Sequence, residues 1–142
     1  MAYSTQADIL NQVDLDTLVQ LTDDEGLGEI DTVVLARAIA DADATIDAYL
    51  QGRYSVPLVS TPDKIRQVSA DVAIFNLFSR KRDNLMTDTR RDRYKDAIRF
   101  LEQVASGAVS LGADSPAPTT TANETDIESE TRKFTRDKMR GF

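Results

Sequence analysis

The stretch that most constrains this chain is Asp31 to Leu58, DTVVLARAIADADATIDAYLQGRYSVPL. Leu35, Ile39, Ala42, Ile46 and Leu50 step by four, three, four and four, which places them on one face of an α-helix. Asp31 stands just before the apolar pattern, where a carboxylate can accept from the first free N–H groups as N-cap. Gly52 predicts the stop, because glycine tolerates the left-handed position after a helix, and Pro57 bars continuation. Ala36, Ala40, Ala44 and Ala48 form a second, small-residue face that predicts close approach of another backbone. One buried central helix with the rest of the chain packed on it is the architecture this stretch demands.

The flanking segments follow the same logic. Thr5 with Asp8 three residues on is a capping-box start for a short helix carrying Ile9, Leu10 and Val13. Asp14 caps a second through Leu15, Leu18, Val19 and Leu21. Both are too short to stand alone and must dock on the core. Thr61 as N-cap with Pro62 and Asp63 in the first turn opens a helix with a stripe of Ile65, Val68, Val72 and Phe75. Ala70, Ala73, Ile74, Leu77 and Phe78 widen that stripe, so this helix is expected between other elements. Thr87 or Asp88 opens a last helix, with Tyr94, Ala97, Ile98, Leu101, Val104 and Ala105 inward and Gly107 as its stop. Ala108 to Leu111 reads as a short strand or an extended exit. The expected fold is all-α: a compact bundle of about four to five helices over residues 1–112. An extended C-terminal arm, residues 113–142, follows it.

What the chain lacks narrows its chemistry. Its 142 residues, 41% hydrophobic, suit one domain with a modest core. No apolar run approaches the length of a membrane span, and MAYSTQADIL does not read as a signal peptide. There is no cysteine, hence no disulfide and no thiolate metal site. There is no histidine either, which removes His-based triads, imidazole general bases and His metal sites. An enzyme would have to work with carboxylates, Lys, Tyr or a Ser–Lys pair. Asp43 and Asp47 form a carboxylate pair on one helix face, with no third ligand type nearby. The expectation is a non-enzymatic protein without cofactor or resident metal.

The acidic loop Thr22–Asp31, TDDEGLGEID, invites a calcium-loop reading with Asp23 first, Glu25 third and Gly28 sixth. Position five is then Leu27 and position twelve Val34, so two main side-chain ligands are missing. A plain acidic turn fits better.

The formal charge is −7, unevenly spread. Residues 1–50 hold eleven acids against one base, Arg37, a net −10. Residues 80–93, RKRDNLMTDTRRDR, hold six bases and three acids, a net +3. Residues 113–130 hold five acids and no base, with many Pro, Thr and Ala, the composition of a linker. The last twelve, TRKFTRDKMRGF, hold five bases and one acid, a net +4, with Phe134, Met139 and Phe142 among them. Sign blocks suit assembly through complementary patches, or are simply solvated surface. The arm reads as a tethered docking peptide, with Arg136 and Arg140 flanking its apolar anchors, or as a solvated tail.

Several phrases carry a resemblance: YSTQADIL, LTDDEG, AIADADATIDAYLQGRYSVPL, KIRQVSADVAIFNLFSRKR and RYKDAIRFLEQVASGAVSLG. In order and spacing, from Ala2 to Gly112, they resemble the Mu-like phage head–tail connector family. The Phe134-Thr135-Arg136-Asp137 ending is similar to that of many members, while the TDDEG loop departs from more calcium-like versions. The resemblance implies a small helical adaptor of the virion neck, assembled in the host cytoplasm, with no enzymatic activity. Such adaptors form a ring with copies of themselves, commonly of twelve, beneath the portal protein. The ring extends the conduit for genomic DNA and receives the next neck, stopper or tail-terminator protein, with no membrane involved.

On that reading, Arg80, Arg82, Arg90, Arg91 or Arg93 would meet an acidic patch such as Asp41, Asp43 and Asp47 on the next subunit. Phe134, Arg136, Met139, Arg140 and Phe142 would dock the arm on a partner. Acidic side chains facing the conduit would repel phosphate and let DNA slide. Two further readings stay open. One is a nucleic-acid-binding protein using the Arg80–Arg93 segment, against which the overall negative charge argues. The other is a calcium-responsive protein.

Overall fold

The computed structural model describes residues 1–81 and 86–112. They form five helices and, among the described residues, no strand: α1 (Gln6–Leu10), α2 (Leu15–Thr22), α3 (Thr32–Leu50), α4 (Asp63–Arg80) and α5 (Asp88–Ser106). The all-α expectation holds. The 113–142 arm, with Phe134, Arg136, Met139, Arg140 and Phe142, and Arg82 in the α4–α5 connection, lie outside the described residues.

Sequence chemistry explains most helix ends. Thr5 and Asp8 make the expected reciprocal capping box, with the Thr5 N–H donating to the Asp8 carboxylate at 2.8 Å. Asp14 accepts from the Thr17 N–H at 3.1 Å. Asp31 accepts from the N–H groups of Val33 and Val34 at 2.9 and 3.2 Å. Gly107 closes α5 at φ +88°, in the left-handed region.

Two ends differ from expectation. Gly52 is not left-handed. The α3 helix ends at Leu50, and the chain tightens through Arg53 and Tyr54, whose N–H groups both donate to the Leu50 carbonyl at 2.9 Å. The α4 helix begins one residue later than expected, with Pro62 rather than Thr61 as N-cap and no side-chain cap bond. Its first turn is instead braced by an Asp63–Arg66 ion pair at 3.1 Å.

The core forms where the two long apolar stripes meet. Leu35, Ala38, Ile39, Ala42, Ile46 and Leu50 of α3 are buried against α4, whose Ile65, Val68, Val72, Ala73 and Leu77 are also buried. The α4 helix touches α1, α2, α3 and α5, the sandwiched position its wide apolar surface predicts. From α5, Ala97, Leu101 and Val104 close the core, while Ala105 is exposed. Phe75 and Tyr94 stack across the α4–α5 seam, centroids 3.9 Å apart and planes 13° from parallel. Such a pair adds about 0.5–1.5 kcal/mol beyond its area burial. Of the apolar residues of α2, Leu18 and Leu21 are buried, while Leu15 at its first position is 56% exposed. Ala108 to Leu111 forms no strand: the chain bends at Ala108 and Val109, and the Leu111 N–H donates to the Tyr54 hydroxyl at 3.1 Å.

Candidate functional site

The acidic and basic blocks are the candidate site, and the fold sorts them. Asp41 is exposed on α3, beside Val33, Arg37 and Arg80. Asp43 and Asp47, two and six residues on, turn to a different side and are half-buried under the N-terminal segment. There the Tyr3 hydroxyl donates to Asp47, and the Tyr3 N–H donates to Asp43 at 3.2 Å. Ser69 of α4 donates to the other Asp43 oxygen at 2.9 Å, and the Ser4 and Ser69 hydroxyls bond each other at 2.8 Å. The like-charged pair is therefore held by hydrogen-bond donors from residues 3 and 69, while Arg53 donates to the Val104 carbonyl at 2.6 Å.

Burial raises the Asp43 pKa, outweighing the Ser69 and Tyr3 hydrogen bonds that favour its charge. The Tyr3 phenol is pushed up to about 12, first by burial and then by donating to Asp47. Ser4 and Ser69 are 1% and 0% exposed, so their hydroxyls act as an internal tie rather than as groups reaching a substrate. Sequence reasoning missed Tyr3, Ser4 and Ser69. The available signal was Ser69, a polar residue directly after Val68 within the inward stripe of α4.

The acidic loop between α2 and α3 is self-contained. Asp23 accepts from the N–H groups of Gly26, Leu27 and Gly28 at 2.7, 3.0 and 2.7 Å, which lowers its pKa. Asp24 is clamped by Arg80 at 2.5 Å and Lys81 at 2.7 Å, and their hydrogen bonds lower its pKa to about 2. Arg80 also donates to the Leu21 carbonyl at 2.8 Å. These carboxylates hold the loop's own backbone and the end of α4. Among the described residues, no group of three or more acidic side chains gathers as for a metal ion.

The basic segment is divided as well. Arg80 serves the loop. Arg90 lies over the Phe78 ring, 4.6 Å from its centroid, and burial lowers its pKa. Arg93 donates to the Gln12 amide oxygen at 2.8 Å. Arg91 faces outward, 52% exposed, in a loose pair with Asp88 at 3.6 Å. Lys95 and Arg99 continue that row, each 3.6 Å from the aspartate three residues before it. The four described arginines of that segment, Arg80, Arg90, Arg91 and Arg93, thus have different partners, and Arg91 is the one of them most directed away from the body.

These features define a class: a small helical body with a strongly acidic N-terminal half, in which Asp8, Asp14, Asp23, Asp31 and Asp43 bind backbone N–H groups. No described helix is long and apolar enough to cross a membrane. Comparison with known proteins then gives the family. Residues 3–129 match the family described as Bacteriophage Mu, Gp36, and the chain belongs to that family of Mu-like phage proteins. It is 33% identical over 141 residues to the Mu-like prophage FluMu protein gp36 of Haemophilus influenzae, covering 99% of this chain and 97% of the relative. It is 33% identical over 117 residues to Gene product J of Escherichia phage Mu, covering 81% and 79%.

Proposed function

We propose that this protein is a structural, non-enzymatic head–tail connector of the virion. It forms a ring, commonly of twelve copies, beneath the portal, extends the DNA conduit and receives the next neck or tail protein. The observation that carries this reading is the charge of the helical body: eleven acids against one base over residues 1–50, borne on α1, α2, α3 and their connections. A surface of that sign lets DNA phosphate pass without sticking, whereas a DNA-binding surface needs the opposite sign. Membership of a Mu-like phage family agrees with a place in the particle.

In a ring, each copy offers one patch to the copy on its left and another to the copy on its right. Of Arg80, Arg90, Arg91 and Arg93, Arg91 is the best placed to reach such a neighbour, and Asp41 is the most accessible of the three α3 acids proposed to meet it. The test is size measurement of the protein with purified portal, for the native chain and for Arg91→Glu. The native chain should assemble on the portal, and the variant should remain monomeric with unchanged helicity. Equal assembly by both removes Arg91 from the interface. No assembly by the native chain overturns the connector reading.

A further inference from the structure

The small-residue face of α3 stays open. Ala36, Ala40 and Ala44 are exposed and floor a groove of about 460 Å³, walled by the first two residues and by Pro57. The lining is apolar except for Asp43 and Asp47 along one side and Met1, whose ammonium favours the charged form of Asp43. An occupant of this groove needs apolar side chains for the alanine floor and cations for the two carboxylates.

The chain carries one segment of that chemistry. Residues 131–142 hold five bases and one acid around Phe134, Met139 and Phe142, while residues 1–112 hold twelve bases and eighteen acids, a net −6. Residues 113–130, with five acids and no base, would be repelled from the same carboxylates and suit the span between. The arm also leaves from the right place. Leu111 is held by the Tyr54 hydroxyl, and Tyr54 precedes the groove residue Pro57 by three positions, at most ~11 Å along the chain. A linker of this length averages roughly 25 Å end to end, ample for this distance. Tethering places the segment at an effective concentration on the order of millimolar, so weak contacts suffice.

We propose that the α3 groove takes residues 131–142 of its own chain, Phe134, Met139 or Phe142 seating on Ala40 and Ala44 and the basic side chains meeting Asp43 and Asp47. A partner that captures the arm must then compete with this groove. The proposal concerns the free chain and stands independently of the connector reading.

The chain has no cysteine, so Thr131→Cys gives a single site for a nitroxide label on the full-length protein. The amide signals of Ala36, Ala40 and Ala44 should lose at least half their intensity relative to those of α5 positions such as Glu102, independent of dilution. Full intensity at α3 overturns the proposal. Loss seen only when labelled chains are mixed with unlabelled, isotope-enriched ones assigns the groove to a second copy's arm and overturns the own-chain assignment. Ala40→Arg with Ala44→Arg, both exposed positions, should restore the Ala36 signal without lowering the thermal midpoint. Phe134→Ala with Phe142→Ala should restore all three signals from the arm's side, where the body is untouched; persistence of the loss in both variants overturns the proposal.

Discussion

The Tyr3 hydroxyl donates to Asp47 and accepts from the Leu58 N–H at 3.0 Å, joining the N-terminal segment to α3 and to the turn that follows it. Leu58 is 3% exposed, so its N–H cannot readily turn to water instead. Tyr3→Phe keeps the ring and leaves the Leu58 N–H unpaired. The expected loss is about 1–3 kcal/mol, read from urea unfolding of the two proteins. A loss below the error of the fit would make the tie dispensable.

Acid should loosen the clamp on the α2–α3 loop. The folded-state pKa of Asp24 is lowered to about 2 from an ordinary 3.8. A lowered carboxylate stabilises the fold above its unfolded pKa, and that contribution fades as pH falls through the folded value. Stability of the native chain should therefore drop more steeply between about pH 4 and pH 2 than that of Asp24→Asn. Asp43 works in the opposite sense: its pKa is raised, so its contribution is most favourable at low pH and is lost as pH rises through the folded value. Urea midpoints across the acid range for both proteins separate the two effects.

Two glycines should respond oppositely to alanine. Gly107 sits at φ +88°, and an added Cβ would lie 3.4 Å from the Arg53 guanidinium that holds the end of α5. Gly107→Ala should cost about 1–2 kcal/mol from the left-handed backbone alone. Gly52 is not left-handed and a Cβ there meets nothing within 4 Å. Gly52→Ala should be neutral or stabilising by about 0.4–1 kcal/mol. Thermal midpoints of the pair are the check, and equal losses would contradict it.

Arg90 and Arg91 are neighbours in sequence with different work. Arg90→Glu removes a cation from the Phe78 face and should lower stability by about 0.5–2 kcal/mol. Arg91→Glu gives up only a loose, exposed pair and should stay within about 0.5 kcal/mol of native. Urea unfolding distinguishes them, and a large loss at Arg91 would show that its effect on assembly reflects folding.

Much of the fold is legible because local rules decide it. The Thr5, Asp14 and Asp31 caps, the α3 and α4 stripes and the Gly107 stop each depend on residues within one or two turns. Gly52 misleads because the Leu50 carbonyl takes two N–H donors from a tight turn and no left-handed residue is needed. The candidate site is less legible because its pairings are remote. Charge density marks Asp24 and Arg80 but cannot show that they pair across 56 positions. Nor does it show that Arg90 lies on Phe78 and Arg93 bonds Gln12 across the surface while Arg91, between them, points away from the body. The helical period contains that split, yet only the placement of neighbouring helices says which side faces solvent.

The measurement that tests the central claim most directly is electron microscopy of DNA-filled, tailless phage heads incubated with the purified full-length protein. The connector reading predicts a ring of added density beneath the portal. Heads that bind no protein at that vertex, with the protein well folded by circular dichroism, would contradict it.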